Sequence, residues 1–492
     1  MTIRTPVPPV ARRAWRPAYS PFSIVDELNC YFDSAAEPNN VQLEAWLPGH
    51  LSPQRLAAAV TAVLADVPAA RARRAPGTWW RAGYAWQLPL QADSDPLSVT
   101  AWRDEAELDV ARARFLAAAP QLDRSPPFRV LLAQGPQWDS VILNAHHAAF
   151  DGRSCLLLLS LIAERYAGRR PRQAPGAGDA GIARARSGDR ARSEDRARSR
   201  RETRSGGEGR SGDRAAIRRP GGGSRARGLA LRSGRSARIA PQHKEPRAAR
   251  GAPGYGLHLL EWPGIPATPN PLGGSPVTVN DLLIAALIQA ITRWNAARHR
   301  RPGPVRISMP MDTRSPGHAD ELGNHSRLYT VTAGPRRVAD PLAAVAGQTR
   351  AAKAAPGPLA SPVLMAVART RLPVSVKRSL ARLGLRSLGS IGCDSSLLSN
   401  LGNVTDPPAF GVLTPTRMWF STSAHMPRGL SVGAITVGGR LQLCFRYRKA
   451  LLDAAAGQDF AAEYAAALSA LSALAEPAAG AAGAGAARET SR

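Results

Sequence analysis

The sequence predicts an α/β protein made of two globular regions. Two observations carry this. Short runs that alternate apolar and polar residues, the mark of a half-buried strand, are interleaved with longer runs whose apolar residues recur every three or four positions, the mark of a helix. Both kinds of run stop near Gly168 and resume at Tyr255, on either side of a segment with almost no aliphatic clusters.

The first region spans residues 17–168. Val41 to Leu47 alternates like a strand. Ser52 and Pro53 supply the N-cap and first-turn proline of a helix. Its apolar stripe is Leu56, Val60, Val63 and Leu64, and it ends at Asp66-Val67-Pro68. Trp79 to Leu88 and Leu97 to Trp102 read as strands, and Glu105 to Ala118 as a helix. Phe128 to Ala133 and Trp138 to Ala145 read as a hairpin, and Cys155 to Ala163 as a buried helix.

The second region spans residues 255–475. Thr278-Val279-Asn280-Asp281 caps a long apolar helix running through Ile291. Val305 to Met309 is a strand, and Leu322 to Ser326 leads into another. Helices are expected around 341–354 and 361–384, and Leu398 to Asn403 is a strand end and turn. Leu430 to Val437 and Arg440 to Tyr447 flank Gly438-Gly439, the two-residue turn favoured in hairpins. Asp453 to Leu474 is a terminal amphipathic helix, and the Ala/Gly-rich tail 476–492 is expected to be disordered.

The formal charge of +28 is concentrated. Residues 169–250 hold 23 Arg and one Lys against eight acidic residues, a net +16, leaving +12 for the other 410 residues. Such a composition cannot bury enough apolar surface to offset the entropy of ordering, so 169–250 is expected to be a disordered basic insertion. A polycation attracts nucleic acid and anionic lipid non-specifically. It lacks the interleaved aromatics that stack on bases, so no specific nucleic-acid partner is expected. Cys30, Cys155, Cys393 and Cys444 are scattered without CxxC or Cys/His spacing, which argues against a disulfide framework or a metal site. No apolar leader opens the chain and no apolar run is long enough to span a bilayer. A cytoplasmic protein without a transmembrane segment is the expectation.

The most informative stretch is His146-His147-Ala148-Ala149-Phe150-Asp151-Gly152, on the loop between the Val141-Ile142-Leu143 strand and the Cys155 helix. A strand-to-helix loop can present a reactive imidazole rigidly. Neutral imidazole is the side chain best matched to taking a proton near pH 7. Asp151-Gly152 is also an ordinary helix N-cap or turn pair, and a histidine pair at a strand end is often a satisfied core pair.

The pattern His-His-x-x-x-Asp-Gly resembles the signature of the superfamily of chloramphenicol acetyltransferase-like acyltransferases, condensation domains of nonribosomal peptide synthetases, and wax ester synthases. Further segments stand in that superfamily's order. They are Leu51 to Arg74, Thr278-Val279-Asn280-Asp281, Pro310-Met311-Asp312-Thr313-Arg314, Gly323-Asn324 and Ser399-Asn400-Leu401-Gly402. The Asp-Phe-Gly-Trp-Gly signature of the plant branch is absent, as are adenylation and carrier domains. The chain resembles a stand-alone condensation protein.

The resemblance implies two α/β halves (two-layer sandwiches) arranged as a V with a tunnel between them. It implies that His147 is the general base, drawing a proton from an acceptor hydroxyl or amine as that atom attacks a thioester. No cofactor is expected to be bound. The donor is a phosphopantetheine or coenzyme A thioester, delivered by an acyl or peptidyl carrier protein or as acyl-CoA, and the acceptor is a small molecule. Adjacent strand residues face opposite ways, so His146 is expected to turn inward and hydrogen-bond locally. The superfamily uses the aspartate in an ion pair with an arginine; Arg314 is the candidate partner of Asp151. Gly152 is expected to leave room for a pantetheine arm. Asn324 is either a strand-end cap or a tunnel-lining group, and Ser399 and Asn400 are turn formers or tunnel neighbours. An acyltransferase of natural-product biosynthesis is the leading reading. The alternatives are a wax ester or diacylglycerol acyltransferase-like lipid enzyme, for which the sequence shows no greasy, membrane-seeking surface, and a catalytically silent scaffold.

Overall fold

The computed structural model describes residues 18–78, 80–169, 235–242, 254–268, 276–315, 317, 319–334, 340–354, 362–388 and 393–475. Three sheets and nine α-helices make up the described residues. The fold class is the mixed α/β that the sequence predicts.

The first sheet is centred on β7 (Asp139–His146), which is buried along its whole length. It lies between β2 (Asn40–Leu47) and β6 (Phe128–Gln134), and β5 (Leu97–Ala101) completes one edge beside β6. Helices α2 (Pro53–Asp66) and α4 (Gly152–Tyr166) bury Leu56, Val60, Leu158 and Ile162 against Val41, Leu43, Val141 and Leu143. Helix α2 starts as its sequence indicates, with Ser52 Oγ accepting from the Arg55 N–H and Pro53 in the first turn. Helix α3 (Glu105–Leu116) is held to the sheet by charge as well as packing. The buried Arg112 guanidinium donates two hydrogen bonds, of 2.7 and 2.8 Å, to Glu44 on β2.

The second sheet has six strands. In spatial order they are β10 (Ser326–Ala333), β9 (Val305–Asp312), β11 (Ser396–Val404), β13 (Leu430–Val437), β14 (Arg440–Arg448) and β8 (Tyr255–Trp262). Gly438 and Gly439 both take positive φ, as a tight turn between β13 and β14 requires. Two long helices, α5 (Val279–Ala297) and α9 (Ala454–Ser472), cover this sheet and bury Leu283, Leu287, Phe460 and Tyr464. Helix α5 begins in a capping box formed by Thr278 and Asp281 and runs six residues beyond Ile291. Helix α6 (Pro341–Ala354) packs beside it.

Several elements depart from the sequence reading. The expected helix over 361–384 is two helices, α7 (Pro362–Arg369) and α8 (Val374–Leu388), with Pro373 between them. They pack on α1 (Ile24–Phe32), through Leu28 and Tyr31 against Ala368, Val374 and Ala381. Strand β12 (Arg417–Ser421), unforeseen in the sequence, pairs antiparallel with β2 and so joins the first sheet. The two expected halves are therefore not separate units. Residues 362–388 and 417–421 belong by sequence to the second and pack on the first. A short sheet of β1 (Ala18–Pro21), β4 (Ala85–Leu88) and β3 (Arg73–Arg74) stands apart; only the last part of the strand expected over 79–88 forms.

The basic insertion also needs correcting. Most of 169–250 lies outside the described residues, as does the tail 476–492, but 235–242 is ordered and buried in part. Ile239 and Ala240 enter the core of the second sheet. The Ala240 N–H donates to Asn295 Oδ1 (2.8 Å), and Trp294 Nε1 donates to the Ala240 carbonyl (2.9 Å). Averaged composition hides a single aliphatic pair whose polar neighbours are met by a helix elsewhere in the chain.

No helix among the described residues is long and apolar enough to cross a membrane. Helix α8 nevertheless exposes an apolar row, Val376, Leu380 and Leu383, at spacing i, i+4, i+7. The sequence reading found no such surface, because the same helix reads as amphipathic whichever of its faces turns inward.

Replacing residues 170–234 with a short Gly/Ser linker is expected to leave the melting temperature unchanged, since loop length costs little. Extending the replacement through 242 is expected to destabilise the chain. The loss of the buried Ile239 side chain alone is of the order of 2–5 kcal/mol. Urea unfolding of the two deletion proteins checks both outcomes.

Candidate active site

His146 ends β7, and the chain then turns sharply. The Ala149 and Phe150 N–H groups both donate to the His146 carbonyl, at 2.9 and 3.1 Å. The buried Ala148, Ala149 and Phe150 anchor this turn in the first core. Asp151 caps α4, its Oδ1 accepting from the Ser154 N–H at 2.8 Å.

Asp151 is spoken for on both oxygens. Oδ1 also accepts from Arg314 Nη2 at 3.0 Å, and Oδ2 accepts from the His325 N–H at 2.8 Å. Arg314 in turn donates from Nη1 to Asp312 (3.0 Å), from Nε to the Glu321 carbonyl (3.1 Å) and from Nη2 to Ser154 Oγ (2.8 Å). Both side chains of the pair are almost wholly buried. Burial alone would raise the Asp151 pKa, but the Arg314 charge and these hydrogen bonds outweigh it and hold the carboxyl below its usual range. No hydrogen bond joins the Asp151 carboxylate to the His147 ring.

His147 is clamped through its backbone from two directions. Its N–H donates to the Asn39 carbonyl (2.9 Å), and its carbonyl accepts from Asn324 Nδ2 (2.8 Å). Asn324 follows Gly323, whose carbonyl accepts from the Asp151 N–H at 3.1 Å and from Ser154 Oγ at 2.7 Å. His147 is partly exposed, while Nδ1 is buried without a hydrogen bond. Burial lowers the His147 pKa from its ordinary value near 6.5; the Asp151 charge opposes this and the neighbouring His146 adds to it.

His146 faces the other way and is buried. Its Nδ1 accepts from the Ala148 N–H (3.0 Å), which places the neutral ring's proton on Nε2, 3.7 Å from Asp33 Oδ2. The sequence offered no signal for Asp33, which follows α1, nor for a third imidazole, His425, on the connection from β12 to β13. Burial and the charges of Arg428 and Arg446 push the His425 pKa down to about 3. The Tyr255 hydroxyl lies 3.5 Å from its Nδ1. Ser423, two residues before it, donates to Asn39 Oδ1 at 2.6 Å. Asn39 therefore ties both histidine-bearing segments together.

Gly152 does not leave room for a pantetheine arm. A Cβ there would lie 2.7 Å from the Phe420 ring and 2.8 Å from Leu401 Cδ2, so protein side chains from β12 and β11 already fill that space. Asn400 donates to Asn280 Oδ1 at the start of α5 (2.7 Å) and accepts from the Gly402 N–H (2.9 Å), a turn-forming arrangement that leaves its amide committed within the protein. Ser399 is buried on β11. Among the described residues, no three His, Cys, Asp or Glu side chains are grouped to hold a metal ion.

No protein-family model matches the chain. Two curated proteins do: uncharacterized proteins MT2362 and Rv2305, from two strains of Mycobacterium tuberculosis. Each is 32% identical over 438 residues, 86% of this chain and 93% of the relative. The chain belongs to their family. Among solved structures, it is similar to the condensation domain of the monacolin K polyketide synthase MokA (TM-score 0.59, 14% identity, 93% of this chain and 98% of that one). The first condensation domain of the calcium-dependent antibiotic synthetase, with a substrate analogue, matches at TM-score 0.60 and 16% identity over 93% of this chain and 96% of that one. A double mutant of the starter condensation domain of rhizomide synthetase RzmA, in complex with C8-CoA and Leu-SNAC, matches at TM-score 0.60 and 14% identity over 94% and 96%. These matches show that the chain has the fold of condensation domains.

Asp151→Asn is expected to destabilise the fold at neutral pH, by at most about 3–5 kcal/mol, because it removes the buried carboxylate of the pair and leaves Arg314 with only the more exposed Asp312 as counter-charge. A carboxyl whose folded pKa is depressed stabilises the fold above its unfolded pKa, and that stability is lost as pH falls through the folded value. The gap between wild type and variant in urea unfolding is therefore expected to be full at pH 7 and to shrink in acid, below the ordinary aspartate range.

Proposed function

We propose that this chain is a condensation-type acyltransferase that joins an acyl thioester to a hydroxyl or amine, with His147 as general base. One observation carries this reading. His147 is held by its backbone between Asn39 and Asn324, with Nδ1 buried and the residue as a whole partly exposed. Burial keeps the imidazole neutral at pH 7, so Nε2 has a lone pair for a proton. In the proposed step, the acceptor O–H or N–H passes its proton to Nε2 as the oxygen or nitrogen attacks the thioester carbonyl. The tetrahedral intermediate then collapses, the C–S bond breaks, and the departing thiolate takes the proton back from the imidazolium. The products are an ester or amide and a free thiol, and His147 is returned neutral. Asp151, Arg314 and Asn324 act as positioning residues, since each bonds the loop rather than the ring. No covalent acyl-enzyme is needed.

The finer reading is a donor carried on the phosphopantetheine arm of a carrier protein, within natural-product assembly. The condensation domains of synthetases among the similar structures support it, and the C8-CoA complex supports a coenzyme A thioester as the other source of the same chemistry. A lipid enzyme of the wax ester or diacylglycerol acyltransferase type is the second reading, favoured by the apolar row on α8.

His147→Ala is expected to lower acyl transfer by about 10²–10⁴-fold without lowering the melting temperature. Because the His147 pKa is lowered, the wild-type rate is expected to hold through neutral pH and to fall only below the ordinary imidazole range, as the base becomes protonated. Turnover by the variant within a few-fold of wild type would refute the mechanism. Matched acyl-carrier and acyl-CoA donors separate the two sources. Faster transfer from the carrier that weakens as salt rises supports the finer reading, and faster transfer from the free thioester overturns it while leaving the acyltransferase standing.

A further inference from the structure

The outer face of α7 and α8 has an unusual combination of properties. Helix α8 turns Val374, Lys377 and Ala381 inward, where Lys377 Nζ donates to the carbonyls of Ala82 (2.6 Å) and Ala368 (2.8 Å). It turns Val376, Leu380 and Leu383 outward, 40%, 41% and 60% exposed. Leu372, in the turn between the helices, is 40% exposed. At the same end of α8 the Val374 N–H donates to the Arg81 carbonyl, and Trp80, one residue earlier, is 60% exposed. Five large apolar side chains from two segments far apart in sequence thus stand outward around one helix about 22 Å long.

The charge that this stretch of the chain carries has one sign. From Pro341 to Cys393 the chain has eight Lys and Arg and not one Asp or Glu. Arg369 and Arg371 are exposed beside Leu372. A helix with an outward apolar row, a tryptophan at one end and only positive charge along it lies flat in the headgroup layer of an anionic bilayer, apolar side down. Anionic lipid adds attraction for each nearby cation.

We propose that the outer face of α8, with Leu372 and Trp80, is a docking surface for anionic lipid membranes. It is directly linked to the candidate active site. Arg378 and Arg382, on the flank of α8, both donate to the Asp33 carbonyl, and Asp33 Oδ2 lies 3.7 Å from His146 Nε2. Asp33 thus stands between this helix and the histidine loop. The inference does not depend on which bond the protein forms.

The test is vesicle co-sedimentation of the full chain. It compares wild type with the triple variant Val376→Ser/Leu380→Ser/Leu383→Ser, on vesicles of phosphatidylcholine with one quarter phosphatidylglycerol and on phosphatidylcholine alone. The Arg-rich segment is itself drawn to anionic vesicles, so the deciding comparison is made at high salt, where Coulombic attraction is screened and apolar insertion is not. Wild type is there expected to bind the mixed vesicles at least about tenfold more tightly than the variant; at low salt it is expected to bind phosphatidylcholine alone more weakly than the mixed vesicles. Circular dichroism and melting temperature are expected to match, because the three side chains are exposed. A second variant, Trp80→Ser/Leu372→Ser, is expected to weaken binding in the same direction. Equal sedimentation of wild type and both variants overturns the proposal. So does equal binding of wild type to the two kinds of vesicle at low salt, or no binding at high salt by any of them, the outcome expected if the patch serves an acidic protein instead.

Discussion

The buried ion pair between Asp151 and Arg314 is the constraint on which the site depends. Two opposite charges out of water are costly unless nearly every remaining donor and acceptor is met. Here Ser154, Asp312, Glu321, Gly323 and His325 supply the rest. That requirement makes the pair geometrically strict. It draws the segment from Asp312 to His325 onto the N-terminus of α4, and the same segment delivers Asn324 to the His147 carbonyl. The position of the imidazole follows from an interaction that never touches it.

Strand β12 fixes the other side. Its Phe420 ring lies where a Cβ on Gly152 would have to go, and its Phe420 carbonyl lies where a Cβ on Gly433 would have to go. Two glycines, one at the start of α4 and one on β13, thus let a single strand wedge between the sheets. From there the chain runs through Ser423 and His425 back towards Asn39. The histidine loop is bounded by the ion pair on one flank and by this strand on the other, so neither region of the chain builds the site alone.

Local chemistry was legible wherever the residues that make an element are neighbours in sequence. Ser52-Pro53, Thr278 with Asp281, and Gly438-Gly439 each carry their own start or turn signal. The motif from His146 to Gly152 and the Asp151–Arg314 pairing could be read the same way, through a resemblance that links distant segments. What escaped was decided by tertiary contact. Strand β12 has only five residues, and nothing local says that its partner is β2. Ile239 and Ala240 sit in an Arg-rich segment and are recruited by Trp294 and Asn295. Asp33 and His425 carry no motif; only the fold brings them near His146 and His147. Gly152 was legible as a glycine but not for its reason, which is the aromatic ring of a residue 268 positions later.

The pairing of β12 with β2 has a consequence for how the chain is made. Strands β2, β6 and β7 are all synthesised by residue 146, yet the partner for the free edge of β2 arrives only with residues 417–421. At ribosomal rates of about 5–20 residues per second, that edge waits tens of seconds with its backbone groups unmatched. An open edge of apolar strand is a template for another chain. Closing it depends on a contact of very long sequence separation, the slowest kind to form. The nascent protein therefore passes through a stage in which its first sheet is collapsed but unfinished, the interval when a chaperone or a crowded polysome would most affect yield.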